Sequence, residues 1–133
     1  MNAYKQILLA DDDCEDRDMI VDAFGEIGVT NTIACAEDGE GVIKYLENCQ
    51  AESLPNLIIL DLNMPKMNGT QTLRYLKMDE RYKHITVVIY STSINPIEKE
   101  ACLDLGAHSY MTKPVLYRES IETVQLFKSL CQA

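Results

Sequence analysis

The sequence predicts an α/β fold in which helices cover both faces of a parallel β-sheet. Short runs that are apolar at every position, at residues 7–10, 57–60 and 87–89, indicate strands buried on both faces. The stretches between these runs place apolar residues at helical spacing. Because strands and helices alternate along 133 residues, we expect βαβ units with right-handed crossovers in one domain.

Five strands are predicted, and turn-forming or polar residues end the most apolar of them. The strands are predicted at residues 7–10, 30–36, 57–60, 85–90 and 107–111. The first strand ends at Asp11 and the third at Asp61. After Asp61, the turn residues Asn63 and Pro65 and the pair at residues 68–69 exclude further strand and predict a loop.

Five helices are predicted from apolar residues at helical spacing, at residues 15–28, 38–49, 70–82, 96–105 and 116–131. The fourth helix has the clearest ends, since Asn95 can cap it, Pro96 suits its first position and Gly106 suits its stop. The fifth helix lacks a polar cap, because Leu116 and Tyr117 stand at its start. Asp13 is interpreted as a solvated residue at the start of the first helix rather than a metal ligand.

The composition excludes several classes of protein. Twelve basic and 21 acidic residues give a net charge of -9, which argues against nucleic-acid binding. No apolar run approaches the length of a membrane span, and the first residues do not form a signal peptide. Five cysteines without CxxC spacing are typical of reduced thiols, so we expect a cytoplasmic protein without a cysteine metal site.

Polar residues follow the predicted strands, and the carboxyl ends of parallel strands meet at one rim of a sheet. The residues placed there are Asp11, Asp12, Asp61, Asn63, Ser91, Thr92, Thr112 and Lys113. Clustered carboxylates repel one another, so a bound cation is expected, and oxygen ligands favour Mg²⁺. One carboxylate can then attack phosphorus, with Lys113 and Ser91 binding the phosphoryl oxygens. The residues therefore predict phosphoryl chemistry on an aspartate.

The whole chain resembles a response-regulator receiver domain of two-component signalling. The matching segments are residues 7–12, residues 61–65 with residues 68–69, residues 87–93 and residues 112–114. Each segment alone is a weak signal, but the four in this order and at these separations are specific. The resemblance implies a flavodoxin-like fold with strand order 2-1-3-4-5, formed by a single receiver domain over residues 1–133 without an output domain.

The resemblance also assigns roles at the rim. Asp61 would accept a phosphoryl group from a phosphohistidine of a sensor histidine kinase. Mg²⁺ would be bound directly by Asp12 and Asp61, through water by Asp11, and by the backbone carbonyl of Asn63. Lys113 would pair with the phosphoryl group. The protein would be a signalling domain that assists its own phosphorylation and dephosphorylation, rather than an enzyme.

A switch is implied in the same way. Ser91 matches the switch hydroxyl, Thr92 adds bulk beside it, and Tyr110 matches the aromatic residue that moves inward on activation. The face made by the fourth helix, fifth strand and fifth helix would then change and contact a target protein or form a homodimer. The sequence is also similar to stand-alone receivers that are paired with phytochrome-type sensor kinases.

Three alternatives remain open at this stage. The protein could shuttle its phosphoryl group to a histidine phosphotransfer protein. It could be a receiver-like domain that never needs phosphate, although Asp12, Asp61, Ser91 and Lys113 together argue against this. It could also be a small aspartate-based phosphatase, but residues 11–15 offer only the first half of the Asp-x-Asp-x-Thr motif that such phosphatases share.

Overall fold

The computed structural model describes residues 6–29, 32–92 and 94–132 and shows strands alternating with helices along the chain. The strands are β1 (Ile7–Ala10), β2 (Ile33–Ala36), β3 (Leu57–Leu60), β4 (Thr86–Ser91) and β5 (Ser109–Thr112). The helices are α1 (Cys14–Glu26), α2 (Gly39–Glu47), α3 (Gly69–Met78), α4 (Pro96–Leu105) and α5 (Tyr117–Gln132). A single 3₁₀ turn, Ala51–Ser53, precedes β3.

The five strands form one parallel sheet in the order β2-β1-β3-β4-β5. This confirms the predicted flavodoxin-like fold. The register aligns the strand ends, since Ala10 pairs with both Ala36 and Leu60, and Leu60 pairs with Ile89. The residues that follow β1, β3 and β4 therefore emerge at one rim.

The core consists of two layers, one on each face of the sheet. Alternate strand residues such as Leu8 and Ile58 pack on one face with α2, α3 and Cys102 of α4. The other alternate residues pack with α1 and α5, where the rings of Phe24 and Phe127 stack with centroids 6.3 Å apart. Both faces of β1 and β3 are covered, which explains why these strands are apolar at every position.

Helix ends agree with the sequence predictions in two cases. Asn95 accepts hydrogen bonds from the amides of Ile97 and Glu98, Pro96 begins α4, and Gly106 ends it at a φ of 113°. Asp13 caps α1 by accepting from the amides of Glu15 and Asp16, which agrees with its interpretation as a helix-start residue.

The third helix was predicted too long, because it ends at Met78 rather than near Tyr82. Asp79 accepts hydrogen bonds from the backbone amide and the guanidinium of Arg81, which forms a turn. Tyr82 is buried beyond this turn and thus continues the apolar pattern without continuing the helix. The fifth helix begins at Tyr117, and the apolar Leu116 stands at the cap position, where its backbone amide donates to the Glu119 carboxylate.

The strands agree with their predictions to within a few residues. β2 begins at Ile33, and the predicted residues 30 and 31 lie outside the described residues. β5 begins at Ser109 rather than residue 107, because the Ala107 amide bonds to the Cys102 carbonyl in closing α4. Among the described residues, the helices are too short or too polar to cross a lipid bilayer.

Candidate functional site

Two neighbouring strands bring the predicted carboxylates together at the rim. Asp11 follows β1 and Asp61 follows β3, and the Asp61 amide donates to the Ala10 carbonyl at 2.9 Å. The Asp11 and Asp61 side chains are buried, whereas Asp12 is exposed. Carboxylate oxygens of Asp11, Asp12 and Asp61, here called the acid cluster, lie within 4.8 Å of one another.

Lys113 reaches the acid cluster from β5, on the other side of β4. The Lys113 amide donates to the Ser91 carbonyl at 2.6 Å, which fixes the backbone where β5 ends. The ammonium Nζ lies 2.6 Å from Asp11 Oδ2 and 3.2 Å from Asp61 Oδ2. Its side chain is almost completely buried. A buried ammonium thus balances part of the charge of the two buried carboxylates.

Two residues at the site were not predicted from the sequence. Asp16 accepts a hydrogen bond from Lys113 Nζ at 2.9 Å, and Arg17 Nη1 donates to the Asp11 carbonyl at 2.5 Å. Both belong to the first turn and a half of α1. No spacing in the sequence pointed to Asp16, because its partner Lys113 lies 97 positions away in the chain.

Burial perturbs the ionisation of the two central groups. It raises the pKa of Asp11 to about 6, although hydrogen bonds from Lys113 and from the Asp13 amide oppose the rise. Burial alone would lower the pKa of Lys113. Hydrogen bonds to Asp11 and Asp16 and the nearby carboxylate charges outweigh it, so this pKa lies above its ordinary value. Lys113 is therefore fully charged at neutral pH.

The acid cluster suits a hard divalent cation. Its donors are carboxylate oxygens from three residues, the ligand type that Mg²⁺ and Mn²⁺ prefer. Asn63 lies beside the cluster, because its backbone amide donates to Asp61 Oδ1 at 3.2 Å. The Asn63 side chain is exposed. The predicted use of the Asn63 carbonyl as a ligand stays a prediction.

The three predicted switch residues occupy different environments. Ser91 is the last residue of β4 and is buried, whereas Thr92 follows it in an exposed loop. Tyr110 lies in β5 with its side chain buried in the core layer that contains Cys102 and Ile89. Ser91 and Thr92 border the rim, and Tyr110 lies behind it, so their roles in a switch stay predictions.

The loop after Asp61 is held tightly against the site. The Gly69 amide donates to the Leu62 carbonyl at 3.1 Å, and the Gly39 amide donates to the Met67 carbonyl at 3.0 Å. Asn68 and Gln71 form a reciprocal capping box at the start of α3. The backbone around Asp61 is thereby fixed by both α2 and α3.

Comparisons with known proteins agree with this geometry. The family profile "Response regulator receiver domain" matches residues 7–125. The chain is 32% identical over 124 residues to the probable methanogenesis regulatory protein FilR2 of Methanothrix harundinacea, which covers 92% of this chain and 80% of FilR2. It is 29% identical to the response regulator Rcp1 of Synechocystis over 96% of this chain and 89% of Rcp1.

Two solved structures have the same fold. The phosphorylated cyanobacterial phytochrome response regulator RcpA superposes with a TM-score of 0.85 at 31% identity, over 98% of this chain and 96% of RcpA. The Mn²⁺-bound form of Rcp1 superposes with a TM-score of 0.81 at 30% identity, over 94% of this chain and 92% of that chain. The family match, the parallel sheet and the rim of carboxylates and lysine agree, and the chain belongs to the response regulator receiver domain family of two-component signalling.

Proposed function

We propose that this receiver domain accepts a phosphoryl group on Asp61 from a sensor histidine kinase, in a reaction that requires Mg²⁺. The observation that supports this most strongly is the Lys113 ammonium, which lies between Asp11 Oδ2 and Asp61 Oδ2 beside the three carboxylates of the acid cluster. A nucleophile, a cation site and a fixed positive charge are the parts that phosphoryl transfer to a carboxylate needs.

Each group then has a defined task. An Asp61 carboxylate oxygen attacks phosphorus, a P–O bond forms, and the P–N bond to the histidine of the donor breaks. Lys113 donates a hydrogen bond to a phosphoryl oxygen and keeps its proton throughout. Mg²⁺ would be held by Asp11, Asp12 and Asp61 together with the backbone carbonyl of Asn63. When bound, it would offset the negative charge of the carboxylates and of the phosphoryl oxygens.

The proposed output is a change of the face formed by α4, β5 and α5. Ser91 lies at the end of the strand beside Asp61, so its hydroxyl is placed to approach a phosphoryl group there, and the loop that begins with Thr92 would move with it. Tyr110 connects this movement to β5, because it packs in the same layer as Ile89 and Cys102. The charge change at Asp61 would bias these elements between two arrangements.

The proposed partners follow from the comparisons. Similarity to RcpA, named as a phytochrome response regulator, favours a phytochrome-type sensor kinase as the phosphoryl donor. A target protein, a histidine phosphotransfer protein or a second copy of the chain would bind the α4–β5–α5 face. We place the reaction in the cytoplasm, where ATP supplies such kinases.

The phosphatase alternative is not supported by the site. Its motif requires the acid two residues after the first aspartate to act on substrate. Here Asp13 caps α1 and accepts from the amides of Glu15 and Asp16. Members of the receiver family are signalling domains rather than classical enzymes.

The test is the intact mass of the protein after incubation with acetyl phosphate, with and without Mg²⁺. The wild-type protein is expected to gain one phosphoryl group only with Mg²⁺, and Asp61→Asn is expected to gain none. Asp104→Asn is the matched control, because Asp104 is exposed on α4. A mass gain in Asp61→Asn equal to that of the control, or no gain in the wild type from either acetyl phosphate or a sensor kinase, would contradict the proposal.

A further inference from the structure

The Lys113 ammonium has one more carboxylate partner than the proposed reaction uses. Its Nζ lies 2.6 Å from Asp11 Oδ2, 2.9 Å from Asp16 Oδ2 and 3.2 Å from Asp61 Oδ2. An ammonium has three N–H donors, so these three acceptors use all of them. The contact with Asp16 is shorter than the contact with Asp61, which indicates that Asp16 is a main partner of Lys113.

Asp16 differs from the other two partners in its relation to the cation site. Asp11 and Asp61 belong to the acid cluster, whereas Asp16 does not belong to it. A divalent cation held by the cluster would draw on oxygens of Asp11 and Asp61, the same residues that Lys113 contacts, but not on Asp16. Asp16 is thus the partner of Lys113 that a cation in the cluster would leave available to the ammonium.

An aromatic ring also lies close to the Lys113 ammonium. The Tyr90 ring centroid lies 5.9 Å from Nζ, and this ring packs edge-on against Phe127 with centroids 5.6 Å apart. Tyr90 is buried, while the Asp16 side chain is 33% exposed and approaches from α1. The Asp16 amide donates to Asp13 Oδ1 at 3.3 Å, so the capped start of α1 fixes the position of Asp16.

We propose that Asp16 is a positioning residue that keeps the Lys113 ammonium at the rim, within reach of Asp61, while a divalent cation engages Asp11 and Asp61. The expected effect of Asp16 on phosphorylation rests on the proposed function, in which the Lys113 ammonium binds the incoming phosphoryl oxygens. The hydrogen bond itself exists in the unphosphorylated protein and can be measured there.

The first measurement observes the Lys113 ammonium directly. Lysine NH₃⁺ groups that make lasting hydrogen bonds to carboxylates exchange slowly enough with water to give ¹H–¹⁵N NMR signals, and Lys113→Gln identifies the Lys113 signal. We expect the wild-type signal to persist at saturating Mg²⁺ and to disappear or shift in Asp16→Ala. Asp16→Asn keeps an acceptor oxygen, so its signal should lie between the two. Glu15→Ala is the matched control, because Glu15 is an exposed acid in the same first turn of α1.

The second measurement is the initial rate of phosphorylation by acetyl phosphate as a function of Mg²⁺ concentration. At saturating Mg²⁺, Asp16→Ala is expected to react about three- to ten-fold more slowly than the wild type, the effect of losing one partly exposed charged hydrogen bond. The Mg²⁺ concentration that gives half the maximal rate should stay unchanged. Glu15→Ala should resemble the wild type in both respects.

Two outcomes would overturn the inference. One is an Asp16→Ala variant with the same Lys113 signal and the same rate as Glu15→Ala. The other is an Asp16→Ala variant whose rate is fully restored by more Mg²⁺, because Asp16 would then belong to the cation site. If the wild type gains no phosphoryl group, the proposed function fails, and the NMR comparison of Asp16→Ala with Glu15→Ala still decides whether Asp16 holds Lys113.

Discussion

At the scale of single residues, the site contains more buried negative charge than its lysine can balance. Asp11 and Asp61 are both buried and share the Lys113 ammonium, so one buried negative charge is left without a balancing lysine, and the exposed Asp12 and partly exposed Asp16 add to the negative charge nearby. Burying charge without full compensation destabilises a folded protein. The acid cluster thus lowers the stability of the protein without a bound cation, which is the cost expected of the proposed cation and phosphoryl site.

The first prediction concerns the pH dependence of stability and Asp11. The pKa of Asp11 is raised from 3.8 to about 6, so the folded protein binds more protons than the unfolded chain in this window. The contribution of Asp11 to the free energy of unfolding therefore falls as the pH rises from about 4 through about 6. In the absence of metal, Asp11→Asn should raise the free energy of unfolding at pH 7.5 by roughly 1–3 kcal/mol, and the gain should shrink at pH 5.

Urea unfolding of the wild type and Asp11→Asn at several pH values checks this, with EDTA present. Asp18→Asn is the control, because Asp18 is exposed on α1. A pH-independent difference, or a loss of stability in Asp11→Asn at pH 7.5, would contradict the assigned cause.

Sequence reasoning located the principal site residues because strand ends are easy to recognise. Abrupt polar residues after apolar runs placed Asp11, Asp12, Asp61 and Lys113 at one rim, and the structure brings them together there. Asp16 was missed because an acid in the first turn of a helix has an ordinary explanation, favourable interaction with the helix dipole. Its contact with Lys113 joins residues 97 positions apart in the chain, which spacing cannot reveal.

At the scale of elements, the loop between β3 and α3 determines the position of Asp61. Lys66 has a φ of 64°, a left-handed conformation that costs a non-glycine residue roughly 1 kcal/mol. At the end of this loop, a Cβ on Gly69 would contact the Asp61 carbonyl oxygen and lie 2.8 Å from Leu62 Cα. These are backbone atoms, so they could not yield without moving Asp61.

The second prediction is that Gly69→Ala impairs both stability and phosphorylation. Overlap with the backbone of Asp61 and Leu62 should lower the free energy of unfolding by about 1–3 kcal/mol and slow phosphorylation by acetyl phosphate, because Asp61 is displaced. The measurements are the urea midpoint and the initial phosphorylation rate.

Gly25→Ala is the matched control for this substitution. Gly25 lies within α1 and has open space around its Cβ position, so alanine should stabilise the protein by up to about 1 kcal/mol. Equal effects of the two substitutions on the rate would argue against a role for the loop in positioning Asp61.

Element boundaries were predictable where a side chain ends the element by itself. Asn95, Pro96 and Gly106 define α4 through their own conformations and hydrogen bonds. The end of α3 was not predictable from periodicity, because Tyr82 is buried by tertiary packing after the turn at Asp79.

At the scale of the whole molecule, the α4–β5–α5 side carries apolar residues that the monomer leaves exposed. Ile97 is 80% exposed and Val115 is 87% exposed, and Leu116 and Tyr117 are about half exposed. Such residues favour contact with a partner over contact with water. The helices on both faces of a parallel sheet were predictable from patterns along the whole chain, and the strand order was predictable from the resemblance to the receiver family. Neither identifies the partner that binds this face.

The third prediction is that phosphorylation promotes a homodimer through this face. Sedimentation velocity should show a larger sedimentation coefficient with Mg²⁺ and beryllofluoride, a phosphoryl mimic, than without them. Ile97→Gln should abolish the increase, because it removes an exposed apolar contact without disturbing the core. Met78→Gln is the control, since Met78 is 78% exposed at the end of α3. Monomer alone under both conditions would remove the homodimer from the account.

Borohydride trapping most directly tests the central claim. The claim is that Asp61, and not another carboxylate of the acid cluster, accepts the phosphoryl group. Borohydride reduces an aspartyl phosphate to homoserine, which marks the residue permanently. Trypsin then separates residues 6–17, which contain Asp11 and Asp12, from residues 45–66, which contain Asp61. We predict homoserine at position 61 after treatment with acetyl phosphate and Mg²⁺. Homoserine at position 11 or 12, or none in protein whose mass shows one phosphoryl group, would contradict the account.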